Sequence, residues 1–297
     1  MKILVTGGKG AIGTRLVAKL RDVGHEPISY DLIDGQDLFD MEKLEIAIQG
    51  VDAVYHLAAE ANLNNMRTLE GGRDGIHRNV TATDNVAYLC AKHTKWLLFI
   101  STMCVYGDVV EHPEREDITL PNPSEIYACS KYAAEWLIRG YGINFTLPYT
   151  ILRIATVYGP GCRPELGVHV FFRQALKDEQ ITVHGDGSQV RTLTYVDDVV
   201  NGLLASLTHK DAAVNQVFNI TGTEQISAIG MANQIKELTN SKSEIILVPQ
   251  RKYNTQTEDA DVSKAKRLLN WEAKVLFAEG LNKTLEWMCS PEFTKKA

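Results

Sequence analysis

Tyr127 and Lys131 lie four residues apart, a spacing that sets a phenol and an ammonium on one face of a helix. Tyrosine ionises near pH 10, so a phenol working as a base near neutrality needs about 4 kcal/mol of preferential stabilisation of its phenolate. Lys131 would supply positive charge for that purpose. Ser101 and Thr102 end an apolar run from residue 96, where a strand of a doubly wound sheet delivers hydroxyls to a ligand crevice and lets them hold a substrate oxygen. A third constellation opens the chain. Gly7, Gly10 and Gly13 stand in Thr6-Gly-Gly-Lys-Gly-Ala-Ile-Gly13, which follows one apolar run and begins a helical pattern. Such glycines permit a tight turn, close approach of backbone to a pyrophosphate and close helix packing, while the helix N-terminus attracts the negative charge. Asp31 closes the next β-rich run, where a carboxylate can accept hydrogen bonds from both adenosine ribose hydroxyls and repel a 2′-phosphate. The expected cofactor is therefore NAD rather than NADP.

The elements that must position these residues are legible as alternation. Strands are expected over 3–6, 27–31, 53–57, 96–101 and 149–154, with helices between them. Ile12, Leu16, Val17, Leu20 and Val23 recur at helical spacing up to Gly24, and further helices are expected near 40–49, 79–92 and 124–139. This pattern predicts an α/β fold: a doubly wound parallel (Rossmann) sheet in residues 1–160, with a smaller C-terminal substrate-binding lobe made mainly of 161–297. A strand near 217–221 is expected to rejoin the sheet, while the helix capped by Ser227 and the last ~50 residues stay with the lobe.

With 44% hydrophobic and 23% charged residues the chain has enough apolar material for a sizeable core. Its net charge of −6 argues against a basic footprint for nucleic acid or anionic membrane, so the expected partner is small. No apolar run approaches the ~20 residues that span a bilayer, and the opening residues read as a strand rather than a leader. Five cysteines without a CxxC pair suggest neither a disulfide framework nor a zinc site, and no His/Cys/Asp cluster has metal-ligand spacing. A cytoplasmic protein without a metal is expected.

Taken in order, these motifs resemble the extended short-chain dehydrogenase/reductase family, in its NAD-dependent nucleotide-sugar epimerase/dehydratase branch. The resemblance rests on the glycine motif, Asp31, His56-Leu-Ala-Ala59, the Ser-Thr stretch before Val105-Tyr-Gly107, the Tyr127/Lys131 pair and Leu152-Arg153 leading into Val157-Tyr-Gly-Pro160. It continues through His184-Gly-Asp-Gly-Ser188, Arg191, Tyr195-Val-Asp-Asp198, Phe218-Asn-Ile220, Ser263-Lys-Ala265 and Leu269-Asn-Trp271, covering essentially the whole chain. It implies Thr102 as hydroxyl partner, Tyr127 as acid/base and Lys131 as its electrostatic tuner, all touching substrate or cofactor. Gly7, Gly10, Ala11, Ile12, Gly13, Leu57, Ala58 and Ala59 would line the cofactor, Asp37 and Leu38 the adenine, and Asn79 and Lys131 the nicotinamide end. Arg191 and Arg251 match the branch's diphosphate contacts, and their forked donors suit phosphate oxygens. His56 reads as a packed strand-end residue. The family's dimer uses two helices per subunit, and apolar faces near 79–92 and 124–139 would allow a homodimer.

Departures narrow the chemistry. Members that eliminate water or decarboxylate carry an acidic residue in the Ser/Thr-rich stretch, because those steps need another proton donor or acceptor. Met103 and Cys104 stand there instead. Thr156 and the surroundings of Gly167 lack the asparagines that contact the substrate's nucleotide portion. The expectation is an epimerase working on a nucleotide-diphosphate sugar through a transient keto intermediate. The alternatives are a dehydrogenase or reductase with net NAD(H) turnover, and a non-catalytic NAD-binding regulator. Cys104 matches the place of a proton-exchanging cysteine in epimerases that invert carbons beside a keto group, but the lysine expected near Leu166 is missing. A packing role is expected for it.

Overall fold

The short apolar runs form a six-stranded, all-parallel sheet in a computed structural model that describes residues 1–107, 109, 112–250 and 257–294. Its order is Gln216–Ile220, Tyr149–Ile154, Trp96–Thr102, Ala53–His56, Lys2–Thr6 and Glu26–Tyr30. From the Lys2–Thr6 strand the chain runs outward to Glu26–Tyr30, then crosses back to Ala53–His56 on the other side. That reversal opens a crevice at the carboxyl ends of these strands, the usual ligand position of such sheets.

Both sheet faces are covered, which explains why the strands read as continuous apolar runs. Successive residues alternate between two cores. Ile3, Val5 and Tyr55 pack with Leu16 and Leu20 of the Ala11–Asp22 helix. Leu4, Val54 and Phe99 face Leu44 and Ile48 of Met41–Gln49, Val86 of Ala82–Lys92 and Ile138 of Ile126–Phe145. The Gln216–Ile220 strand pairs with Tyr149–Ile154 at the sheet edge. Leu203 and Leu207 of the Val196–Thr208 helix, Ala265 and Leu269 of Ser263–Leu269, and Trp271 also join the first core. The expectation that the final ~50 residues stay with the smaller lobe is corrected for 265–271, whose apolar side chains are needed to cover the sheet face. A third apolar cluster, including Phe171, Phe172, Val183, Met231 and Leu281, fills the remaining lobe.

The Ile126–Phe145 helix extends past the expected 139 through Gly140 and Gly142. Its anchor is Glu135, fully buried, whose Oε1 accepts from Ser101 Oγ at 2.6 Å and Arg153 Nε at 3.0 Å, and whose Oε2 accepts from Arg153 Nη2 at 2.7 Å. Arg153 also stacks on Tyr106, whose hydroxyl donates to Asn219 at 2.9 Å. The Ser101 hydroxyl expected at the ligand crevice is thus turned into the helix–sheet interface, because the buried carboxylate needs its donor.

Glu135→Ala should leave the Arg153 guanidinium buried without its carboxylate and cost about 3–5 kcal/mol in denaturant unfolding. A loss below about 1 kcal/mol would show that the pair does not anchor the helix.

Candidate active site

Around the crevice, the first loop is held by steric necessity. Gly7 has φ +69°, and a Cβ there would stand 2.8 Å from the Ala58 amide nitrogen; a Cβ on Gly13 would meet the Gly7 carbonyl at 2.1 Å. Backbone therefore packs directly on backbone where the Lys2–Thr6 strand turns into the Ala11–Asp22 helix, and Gly10 caps that helix. Asp31 is aimed at the same loop: Oδ2 accepts from the Lys9 amide at 2.9 Å and Oδ1 from the Ile33 amide at 3.0 Å. A carboxylate offers about four acceptor positions, so two remain for a ribose diol.

Leu57, Ala58 and Ala59 leave the adjacent strand, with the Leu57 amide donating to the Thr6 carbonyl at 3.1 Å and the Ala58 amide to Thr6 Oγ1 at 3.3 Å. His56 is buried between Thr6 and Thr83 hydroxyls, at 2.7 and 3.1 Å, and burial lowers its pKa to about 3. It is a neutral packing residue. Asp37 is exposed, its Oδ1 capping the Phe39 amide at 3.0 Å, whereas Leu38 is buried in the sheet's second core. Asn79 has its amide committed: Oδ1 accepts from Glu60 N at 2.7 Å, and Nδ2 donates to Glu60 O and Ser130 Oγ, each at 3.0 Å. It ties the loop after the third strand to the helix that carries Tyr127.

Tyr127 and Lys131 occupy the first two turns of the Ile126–Phe145 helix, on the face that continues to Glu135. Burial, reinforced by the Cys104 thiol, pushes the Tyr127 phenol up to about 12; Arg163 and a side-chain hydrogen bond with Thr102 pull the other way. Thr102 Oγ1 in turn accepts from the Cys104 amide at 3.2 Å. Lys131 is buried with its Nζ 4.1 Å from the centre of the Phe99 ring, and burial lowers its pKa to about 7, against the pull of Glu135. Burial thus holds the expected tuner Lys131 well below the ordinary lysine range, and the positive charge acting on the phenol comes from Arg163.

A cavity of about 980 Å³ opens on the smaller lobe. Cys104, Glu125, Thr156, Arg163, Arg191 and Glu258 are among its wall residues, and Cys104 links the cavity to Thr102, whose Oγ1 accepts from its amide, and to Tyr127, on whose phenol its thiol acts. Leu166 and Gly167 also reach it. Arg191 is partly buried, its Nη1 donating to the Val190 carbonyl at 2.7 Å and its Nε 3.8 Å from Glu258. Arg251 lies outside the described residues.

The sequence pattern of the NAD dependent epimerase/dehydratase family matches residues 3–221. The chain belongs to this family. It is similar to UDP-glucuronic acid decarboxylase 1 of Xenopus tropicalis, 32% identical over 96% of this chain and 72% of that protein. Among solved structures, the UDP-glucuronic acid 4-epimerase of Bacillus cereus with UDP-glucuronic acid and NAD superposes with TM-score 0.90, at 29% identity over 97% of this chain and 99% of that one. The UDP-glucose 4-epimerase of Thermotoga maritima with UDP-glucose also gives 0.90, at 30% identity over 100% and 99%. The protein is thus an NAD-dependent enzyme of the extended short-chain dehydrogenase/reductase type, and the glycine cradle with its oriented Asp31 carboxylate fits that cofactor. Its fold is the doubly wound α/β sheet expected. Among the described residues no helix is long and apolar enough to cross a membrane.

For this family member, sequence reasoning missed Arg67, Glu125, Arg163 and Glu258. Arg67 pairs with Glu125 at 2.6 Å, joining the cavity rim to the start of the Tyr127 helix. Arg163 donates to the Ala61 carbonyl. Glu125, two residues before Tyr127, carried a positional signal; the others come together only through tertiary folding.

The folded-state pKa of Lys131 lies below its unfolded value, so its buried charge costs most stability below about pH 7, and the cost shrinks as pH rises toward the ordinary lysine range. Lys131→Met should therefore raise Tm more at pH 6 than at pH 9 while activity is lost. An equal gain at both pH values, or a loss of Tm at pH 6, would contradict this.

Proposed function

We propose that this enzyme inverts a carbon of a nucleotide-diphosphate sugar through a transient keto intermediate, with Tyr127 as its acid/base. The observation that carries this reading is that Thr102 and Tyr127 meet at Cys104 on the wall of a cavity of about 980 Å³, with Lys131 one helical turn beyond Tyr127. Bound NAD would supply the hydride acceptor and donor. Asp31 would hold the adenosine ribose, Gly7, Gly10, Ala11, Ile12 and Gly13 the pyrophosphate, Leu57, Ala58 and Ala59 the wall beside it, and Asp37 and Leu38 the adenine. As its phenolate, stabilised by the positive charge that bound NAD would bring, Tyr127 would accept the sugar hydroxyl proton and later return it, and Thr102 would hold that oxygen. Lys131 assists by its charge, and Arg191 and Arg251 hold the diphosphate. Asn79 acts by positioning the loop and Ser130, at the nicotinamide end.

Decarboxylation or dehydration would need a further proton-transfer group, and Met103 and Cys104 offer none: burial pushes the Cys104 thiol up to about 11, reinforced by Glu258. The UDP sugars bound by the two solved relatives make a UDP-hexose inverted at C4 the substrate class to test. A homodimer through the Ala82–Lys92 and Ile126–Phe145 helices is supported by exposed Tyr88, Trp136 and Ile143; sedimentation as a monomer at micromolar concentration would exclude it. Five free thiols suit a reducing compartment, and fractionation should find the protein in the cytoplasm.

Tyr127→Phe should lower turnover by about 10²–10⁴-fold and leave NAD binding intact, since it removes the proton-transfer atom and keeps the ring. The readout is NMR of UDP-glucose and UDP-galactose in deuterated water, with absorbance at the reduced-nicotinamide band. Interconversion without carbon-bound deuterium or net reduced cofactor is expected. Near-normal rates in folded Tyr127→Phe, or stoichiometric reduced cofactor with the unmutated enzyme, would overturn the reading.

A further inference from the structure

Glu258 is 8% exposed and forms part of the cavity wall with Cys104, Thr156 and Arg191. Its backbone is pinned: the Glu258 carbonyl accepts from Thr192 Oγ1 at 2.7 Å, and its amide donates to the Val190 carbonyl at 3.3 Å. One carboxyl oxygen, Oε2, faces Arg191 Nε at 3.8 Å. The other, Oε1, is buried with no hydrogen-bond partner at normal distance among the described residues. An acceptor held without a donor is costly, and a sugar hydroxyl entering beside this wall could supply one. Facing this carboxyl are Arg191 and the Thr156 backbone amide, which favour ionisation, and Glu114, which opposes it. The same carboxyl acts on the Cys104 thiol, and Cys104 acts on Tyr127, so Glu258 stands toward the reacting end of the cavity.

We infer that Glu258 is a specificity-determining residue that accepts a hydrogen bond from a hydroxyl of an uncharged hexose and disfavours a sugar bearing a carboxylate. The inference rests on the nucleotide-sugar reading. A uronate presented to this wall brings a second negative charge into a poorly solvated site and leaves Oε1 without a donor, whereas a hydroxyl satisfies it. Burial lifts the Glu258 pKa to about 7, so the discrimination grows as pH rises through neutrality and is best read at pH 8, where the carboxylate form dominates.

The test is calorimetric binding of UDP-glucose, UDP-glucuronate and UDP to the NAD-loaded full chain at pH 8. The unmutated protein should prefer UDP-glucose over UDP-glucuronate by about tenfold or more. Glu258→Gln, which keeps size and an amide acceptor but drops the charge, should shrink that ratio by about fivefold or more, chiefly by tightening UDP-glucuronate. A change in UDP itself, through the Arg191 that Glu258 faces, is common to both sugars and cancels in the ratio. Equal binding of the two sugars by the unmutated protein, or a ratio unmoved by Glu258→Gln, would overturn the assignment. Because these are binding measurements, a failure of the epimerase reading shows separately, as an intact sugar preference without interconversion.

Discussion

The carboxylate of Glu135 sets the rotation of the helix on which the site depends. Tyr127, Lys131 and Glu135 follow one another at four-residue spacing, so a donor set that holds the third residue also aims the first two. Those donors come from two neighbouring central strands: Ser101 from one and Arg153 from the next. A bidentate guanidinium is directional in a way that apolar packing is not, and the Ala134 and Ile138 contacts alone would tolerate a small roll of the helix. The same ion pair presses Arg153 on Tyr106, and through Asn219 reaches the Glu114 carbonyl at 3.0 Å and the Asp261 carbonyl at 3.2 Å. Sheet, helix and the segments around Glu114 and Asp261 are therefore registered by one buried polar network. Such a network specifies geometry at some expense of stability, which suits a site whose groups must meet within hydrogen-bond distance.

Electrostatics inside this frame are set by missing solvent more than by any one partner. Burial is the largest cause acting on Tyr127, Lys131, Cys104 and Glu258, and in each case it favours the neutral form. Burial thus holds a phenol at about 12 one helical turn from an amine at about 7. An anionic diphosphate and a cationic nicotinamide entering together would change that balance in opposite directions at the two ends of the cleft. Preorganised but under-charged groups of this kind respond strongly to a bound charge, because burial leaves little solvent beside them to screen it.

How far the residues announced this arrangement follows from the range over which each signal acts. The glycine motif, Asp31 and the strand-to-helix alternation are local, and the turn chemistry that encodes them sits within a few residues, so they were legible. The helix Leu69–Ile76 was not, because Gly71, Gly72 and Gly75 read as breakers. Gly71 is there for close approach: a Cβ would lie 2.2 Å from the Asn65 carbonyl oxygen. Ser101 and Thr102 are adjacent hydroxyls at one strand end, indistinguishable in type, yet strand alternation turns one toward Glu135 and leaves the other near Tyr127. No pattern around Ser101 predicts which, since its partner is an acid on a helix that reads as ordinary amphipathic surface. Glu258 is the extreme case. In the chain it is one of three acidic residues within Glu258-Asp-Ala-Asp261, a composition that suggests a solvated loop. Only the pairing of Gln225–Ser227 with Val190–Thr192, and the hydrogen bonds that bind residue 258 to that pair, turn its side chain into the cavity. Residues that choose a substrate sit where distant segments meet, so their identity is written in the sequence while their position is written in the fold.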